Sequence, residues 1–206
     1  MNISESSRWS NAAFAARVRQ ELSNRINELS DLQPLVDAKS CKTIHISSGS
    51  PYFEILGGTF ESVDFSNANL SIRFNGCKIA KLLFMNARIA KSQFINSQIA
   101  DCDFSGATIQ ASLDDCSMHK CLFREARFSG TLSKRCGGRR IKFEQCDFSC
   151  CQFMNVEFRA ATFADCTFQG AKFVSCDLTG THWIGNRPEG SQIDPSNVID
   201  LLLRDE

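Results

Sequence analysis

Large apolar residues recur at every fifth position along most of the chain, and the residues between them are mostly polar. This period fits neither an α-helix, which repeats every 3.6 residues, nor a β-strand, which alternates every two. It predicts instead an internal repeat in which the chain turns a corner once in every five residues. The central positions of the repeat are Phe60, Phe65, Leu70, Phe74, Ile79, Phe84, Ile89, Phe94, Ile99, Phe104, Ile109, Leu113, Met118, Phe123, Phe128, Phe143, Phe148, Phe153, Phe158, Phe163, Phe168, Phe173, Leu178 and Trp183.

A small or apolar residue stands two positions before most centres, as at Ala87, Cys102 and Ala161. Four such steps close a square coil of about 20 residues, and stacked coils pair at the usual strand spacing of about 4.8 Å. The 24 centres therefore predict about six coils in a rod about 29 Å long. The second residue after a centre is often Gly, Asn or Asp, residue types that tolerate the positive φ of a tight corner.

The repeat resembles that of the pentapeptide repeat family, in which a small residue precedes Asp or Asn, then Leu or Phe, then two polar residues. Residues 102–106 read Cys-Asp-Phe-Ser-Gly, residues 146–150 Cys-Asp-Phe-Ser-Cys and residues 176–180 Cys-Asp-Leu-Thr-Gly. The resemblance implies an all-β solenoid over residues 43–185, the right-handed quadrilateral β-helix of that family. From Phe74 to Ile109 the centres alternate between Phe and Ile, which predicts Phe on two opposite walls and Ile on the other two.

Eight of the eleven cysteines occupy the small position of a repeat, where a free thiol acts as a compact hydrophobic group. Cys116, His119 and Cys121 match no zinc framework, because both cysteines are expected to point inward and the histidine outward. No metal or other cofactor is therefore expected. We expect Cys150 and Cys136, and to a lesser extent Cys41, to be the accessible thiols. Residues 1–10 carry no apolar signal segment, which favours a reduced, cytoplasmic setting, with a secreted bacterial effector as the alternative.

The two ends of the chain have helical rather than five-residue patterns. Apolar residues at helical spacing predict an amphipathic helix over residues 10–30, within an N-terminal segment 1–42. It is interpreted as a cap on the open end of the rod, with a partner-binding or secretion element as alternatives. In the C-terminal segment 186–206 a short helix carries Val198, Leu201 and Leu202. By resemblance to gyrase-protecting members of the family it is a dimer contact. The alternative is that this apolar terminal helix folds back as a lid.

The segment 133–140 interrupts the repeat with a run of basic residues, yet Phe128 and Phe143 remain in phase because they are fifteen positions apart. Either two distorted repeats or a projecting loop lies here. Because loops often carry function, we interpret the run as a candidate partner-binding loop. Its binding residues are Lys134, Arg135, Arg139 and Arg140.

The sequence does not bring a nucleophile, a base and an orienting residue together, and its three histidines are scattered, so an enzyme is not expected. The favoured interpretation is a protein-interaction scaffold: an adaptor, a regulator or a bacterial effector. Outward apolar residues support it, especially Met154 and Val174, which are twenty positions apart and should lie on one wall. Nucleic acid is a less favoured partner, and no membrane-spanning segment is expected.

The alternative comes from the resemblance to Qnr-type quinolone-resistance proteins, whose dimeric rods imitate DNA and occupy the DNA site of type II topoisomerases such as DNA gyrase. DNA mimicry requires an extended negative field. Between Phe53 and Gly185 the chain has 13 acidic and 15 basic residues, so the rod as a whole lacks such a field. One acidic wall would restore the alternative.

Overall fold

The repeat folds into a rod of short parallel β-strands in a computed structural model, which describes residues 53–57, 59–61, 65–67, 69–131, 136–189 and 192–194. Both predicted terminal helices, including Val198, Leu201 and Leu202, lie outside the described residues, and no α-helix occurs within them. The strands are β1 Phe53–Leu56, β2 Thr59–Glu61, β3 Asn69–Leu70, β4 Ile72–Asn75, β5 Lys78–Ala80, β6 Arg88–Ile95, β7 Gln98–Ala100, β8 Thr108–Ser112, β9 Ser117–His119, β10 Arg127–Ser129, β11 Lys142–Glu144, β12 Gln152–Met154, β13 Thr162–Ala164, β14 Lys172–Val174 and β15 His182–Ile184.

The strands and bridges stack into four walls, which the chain visits in a fixed order. Wall 1 is the seven-stranded sheet of β2, β5, β7, β9, β11, β13 and β15. Wall 2 is a row of parallel bridges that joins Leu83, Asp103, Leu122, Asp147 and Thr167. Wall 3 consists of β3, the start of β6, β8, β10, β12 and β14. Wall 4 consists of β1, β4 and the end of β6, followed by bridges through residues 112, 137, 157 and 177. Walls 1 and 3 are therefore opposite each other, as are walls 2 and 4.

The predicted sorting of Phe and Ile between the walls is confirmed in the first half of the rod. Ile79 pairs with Ile99 on wall 1 and Ile89 with Ile109 on wall 3. Phenylalanines occupy the inner face of walls 2 and 4, and all these centres are buried. On wall 2, six rings stack in succession at centroid distances of 4.6–5.5 Å, through Phe65, Phe84, Phe104, Phe123, Phe148 and Phe168.

In the second half of the rod phenylalanine occupies all four walls. Rings of the same wall stack between coils, as Phe153 does on Phe173 at 4.4 Å. Rings of neighbouring walls meet edge to face within a coil, as Phe158 and Phe163 do at an interplanar angle of 86°. Both arrangements suit the quadrupole of an aromatic ring, so the core can be all-aromatic without face-to-face repulsion.

Corners fall where the sequence predicts them, at the second residue after a centre. Many of these residues have positive φ, including the predicted types Asn86 (φ 56°) and Asp101 (φ 52°). Larger side chains adopt the same conformation, as at Lys120 and Glu125. The backbone N–H groups at the corners donate hydrogen bonds to carbonyl oxygens of the next coil. This ladder of hydrogen bonds between coils stabilises the positive φ, which Lys and Glu disfavour on their own.

The coils differ in length, and this fixes the position of the irregular segment. In β6, Lys91 forms a corner with φ 56°. The four-residue step from Ile109 to Leu113 has no residue equivalent to Lys91, so the pairing of β6 with β8 shifts by one position after Ala90. Later, Ser112 pairs with Gly137, and these residues are 25 positions apart rather than twenty. Five extra residues therefore lie between β10 and Cys136.

The prediction of a loop across the whole of 133–140 is corrected by these pairings, because residues 136–140 form part of wall 4. Gly137 pairs with both Ser112 and Glu157, and Cys136 is buried beneath them. Gly138 takes the place of a large centre, since a Cβ there would lie 2.4 Å from the carbonyl oxygen of Leu113. Close approach of the backbone explains why the segment has Gly138 where neighbouring coils have Leu113 and Phe158.

The chain returns to the rod after the last coil. Ile193 pairs with Phe173, and Trp183 packs against the core, stacked on Phe163 at 4.5 Å. The side-chain amide of Gln192 donates to the carbonyl oxygens of Phe168 (2.5 Å) and Ala171 (3.0 Å). Residues 192–194 therefore satisfy carbonyls that would otherwise be left open at the end of the rod.

Candidate interaction surface

Walls 1, 2 and 4 each carry ion pairs between acidic and basic side chains. On wall 1, Lys81 contacts Glu61 at 2.7 Å, and on wall 2 the Nε of Arg124 lies 2.5 Å from Asp147. The hydrogen bond from Lys81 lowers the pKa of Glu61. These pairs join neighbouring coils on the outer surface of the rod. Exposed pairs of this kind contribute little to stability, but they cancel the local charge.

Wall 4 follows the same rule. Arg140 donates two hydrogen bonds to Asp115, at 2.6 and 2.7 Å, and lowers the pKa of that carboxyl group. Arg159 pairs with Asp177 in the next coil. The backbone N–H of Arg139 donates to Asp114 at 2.9 Å. Acidic and basic groups therefore lie together on this wall.

Wall 3 differs from the other three. Its residues at the position before each centre are paired in register and exposed, in the order Arg88, Thr108, Arg127, Gln152, Lys172. We call these five residues the cationic column. Its three cations form no ion pair with any carboxylate among the described residues.

Few carboxylates lie near the cationic column. From residue 69 to residue 175, no Asp or Glu occupies wall 3 itself. Glu125 lies at the corner with wall 2, and Lys91 lies at the corner with wall 4. Asp194, whose backbone N–H donates to Phe173, ends the wall. Wall 3 is therefore a positively charged face on a chain of zero net charge.

The predicted apolar residues Met154 and Val174 lie on this same wall. They are paired side by side in neighbouring strands and are 40% and 37% exposed. Each stands two positions after a member of the cationic column, so both face outward. Their binding role stays a prediction, but the structure joins them to a charged surface that sequence reasoning did not identify.

The predicted loop residues are divided by the fold. Arg139 and Arg140 are exposed on wall 4, where Arg140 is engaged by Asp115. Lys134 and Arg135 lie outside the described residues. The described part of the basic run therefore lies on a wall that also carries carboxylates, such as Glu157 and Asp177. The wall that carries cations and no carboxylate from residue 69 to residue 175 is wall 3.

The cysteines fill the inner positions predicted for them. The Cys116 thiol donates to the carbonyl oxygen of Phe94 (3.1 Å). Burial raises the pKa of Cys116 to about 12 and that of Cys176 to about 11. No group of His, Cys, Asp and Glu within the described ranges is arranged to hold a metal ion. The thiols of Cys116 and Cys176 are therefore neutral packing groups.

Cys136 corrects the sequence-based prediction of accessibility. It was expected to be accessible with Cys150, but its side chain is buried and its thiol donates to the carbonyl of Ile109 at 3.2 Å. Burial raises its pKa to about 11. Cys150 is exposed at a corner, as predicted, and Cys41 lies outside the described residues.

In the part of the chain that the structure describes, no helix has the length and hydrophobicity needed to span a membrane.

Comparison with solved structures gives similar chains at low identity. QnrB1, a plasmid-mediated fluoroquinolone resistance protein, is 20% identical over 71% of this chain and 83% of its own, with a TM-score of 0.49. HetL, a pentapeptide repeat protein involved in heterocyst differentiation regulation in Nostoc sp. strain PCC 7120, is 12% identical, with a TM-score of 0.22. The match covers 65% of this chain and 90% of HetL.

The sequence itself matches a family model. No curated protein sequence matches the chain. Residues 139–180 match the model of pentapeptide repeats, with eight copies of the repeat. The same five-residue register of centres and corners extends through the described coils on both sides of the irregular segment. Residues 139–180 of the chain therefore consist of repeats of the pentapeptide repeat family.

Proposed function

We infer that the protein is a non-enzymatic interaction scaffold, in which a rigid core presents a binding face to another protein. The single observation that carries this inference is that wall 3 carries cations but no carboxylate from residue 69 to residue 175, whereas each of the other three walls carries both. Arg124, Arg140 and Arg159 are each paired with a carboxylate of a neighbouring coil. The cations of wall 3 are not paired within the described residues, and exposed apolar side chains lie beside them.

A face of this composition suits protein binding. Unpaired cations attract an oppositely charged partner, and a neighbouring apolar pair supplies area that is buried on contact. The frame is already ordered, since the centres beneath wall 3, such as Phe128, Phe153 and Phe173, are buried and stacked. Little conformational entropy is therefore lost when a partner binds.

Wall-specific variants test the scaffold function. We expect affinity capture from the source cells to recover a defined protein partner, because a binding face should retain its partner through purification. Charge reversal on one wall should release that partner, while reversal on the other walls should retain it. Quantitative mass spectrometry of the captured proteins is the measurement. Recovery of nucleic acid alone, or a protein set unchanged by all of the wall variants, would contradict the scaffold function.

DNA mimicry stays a prediction for this chain. Asp103 and Asp147 lie on wall 2, two coils apart, with Leu122 between them and Arg124 paired to Asp147. This spacing is not an uninterrupted acidic face. A DNA gyrase supercoiling assay with a quinolone present tests the alternative. Relief of inhibition by the protein would support it, and unchanged inhibition would remove it.

A further inference from the structure

The cations of wall 3 recur at every second coil. Arg88, Arg127 and Lys172 alternate with the neutral residues Thr108 and Gln152. Since neighbouring strands of a sheet lie about 4.8 Å apart, successive cations are about 9.6 Å apart along the rod. The three cations, which are the first, third and fifth members of the column, thus form a line of charge about 19 Å long.

This spacing matches an α-helix better than it matches an extended chain. A helix rises about 1.5 Å per residue, so positions seven apart lie about 10.5 Å apart on the same face. An extended strand repeats its face every two residues, at about 6.6 Å, and does not stay in step with the column. The flexible side chains of Arg and Lys accommodate the remaining difference of about 1 Å per interval.

The apolar pair lies where such a helix would present its apolar residues. Met154 and Val174 are on the outer face of β12 and β14, beside Gln152 and Lys172. A helix that lies along the rod, with acidic residues over the cationic column, would place its neighbouring row over this pair. Its complementary sequence is therefore amphipathic, with a carboxylate every seven residues.

Nucleic acid fits the same face less well. Phosphates follow one another about every 3.4 Å along each strand of duplex DNA, so three cations at alternate coils would meet only a small fraction of them. Single-stranded binding also uses aromatic side chains on which bases stack. The outward positions of wall 3 from residue 88 to residue 175 hold no aromatic residue.

We propose that wall 3 binds an acidic amphipathic α-helix of a partner protein, with carboxylates on Arg88, Arg127 and Lys172 and apolar side chains on Met154 and Val174. The site rests on the proposed scaffold function and adds to it the binding wall and the partner chemistry. The helix axis lies parallel to the rod axis. Attraction between the column and the helix brings the partner to the wall, and the apolar pair fixes its position.

Binding of a synthetic helix to the full chain tests this site. The probe is a fluorescent, stapled helical peptide of about 20 residues with glutamates every seven positions and leucines on the adjacent row. A control peptide has the same composition with the glutamates spread around the helix. Fluorescence anisotropy at low ionic strength is the readout, with duplex and single-stranded DNA of similar length as further probes.

The matched protein variants carry equal changes of charge on opposite walls. The first is Arg127→Glu with Lys172→Glu on wall 3, and the second is Lys78→Glu with Lys142→Glu on wall 1. All four side chains are exposed and stand just before a centre. The first variant is expected to weaken binding of the patterned peptide at least about tenfold, and the second to leave it within about twofold. Circular dichroism confirms that both variants are folded.

Three results would overturn the site: equal binding of the two peptides, equal losses in the two variants, or tighter binding of DNA than of the patterned peptide. The wall variants of the capture experiment separate this failure from failure of the scaffold function. If a variant of another wall releases the natural partner, the scaffold function is supported and the assignment of the binding site to wall 3 is refuted. The absence of any wall-dependent partner refutes the scaffold itself.

Discussion

Replacing Phe153 by Ala is expected to lower the free energy of unfolding by about 3–5 kcal/mol, the usual cost of such a deletion in a packed core. Phe153 is fully buried on wall 3, stacked between Phe128 at 5.1 Å and Phe173 at 4.4 Å. It also meets Phe158 of wall 4 edge to face at 5.6 Å. Neighbouring coils are held in register by the backbone ladder and cannot collapse into the space, so the cavity persists.

Urea denaturation of the variant measures this loss. The matched control is Gln152→Ala, one residue earlier in the same strand, where the side chain is exposed. It is expected to change stability by no more than about 0.5 kcal/mol. Losses of similar size at positions 152 and 153 would contradict the assignment of inner and outer positions on which all four walls depend.

Alkaline pH is expected to destabilise the protein through its buried thiols. The pKa of Cys116 is raised to about 12 and those of Cys136 and Cys176 to about 11 by burial. These thiols remain neutral in the folded protein while the same thiols ionise in the unfolded chain as pH passes about 9. The unfolded chain then binds fewer protons, so stability present below pH 9 is lost as pH rises towards 11.

The size of this effect follows from linkage. At pH 10 each of the three thiols is expected to cost about 1.4 kcal/mol relative to pH 7, or about 4 kcal/mol together. Denaturation at the two pH values is the measurement. The control is the triple variant of residues 116, 136 and 176 to Ala, a residue that fills equivalent inner positions such as Ala161. It should lose about 4 kcal/mol less than the native chain between the two pH values, and an equal loss would show that these thiols are not buried in neutral form.

Most of the fold follows from the five-residue period. Large central residues and the small residues two positions before them both point into the coil. The interior of the coil is narrow, so only one of each pair can be large, and this pattern identifies the inner positions. The sorting of Phe and Ile onto opposite walls needs only the fact that four steps make a coil. Corners at Lys120 and Glu125 were not predicted from residue type, because their positive φ is imposed by the ladder.

The sequence pattern did not predict the cationic column, because paired residues in successive coils of one wall are not a fixed number of positions apart. Arg88 pairs with Thr108 at a separation of twenty, Thr108 with Arg127 at nineteen, and Arg127 with Gln152 at 25. The four-residue step and the five-residue insertion cause these differences. A reading with a fixed period of twenty therefore aligns Met154 with Val174 but misses the cations beside them.

The sequence pattern did not reveal the insertion, because its length equals one repeat. Because five residues were added, Phe128 and Phe143 stayed in phase, and the sequence did not show which residues left the coil. The pairing of Gly137 with Ser112 and Glu157 assigns residues 136–140 to wall 4. Gly138 was the indication in the sequence that these residues belong to a coil. A central position without a side chain indicates that the backbone itself fills the space there.

Thiol labelling of the native protein tests the coil register most directly, because every wall assignment depends on it. Cys150 and Cys151 are neighbours in sequence, yet the first is exposed and the second fully buried. With a maleimide reagent and peptide mass spectrometry, Cys150 is expected to react rapidly, while Cys151 and Cys136 react only when the protein unfolds. Labelling of Cys136 at the rate of Cys150 would place residues 136–140 outside the rod. It would also remove the register that aligns Arg127 with Lys172.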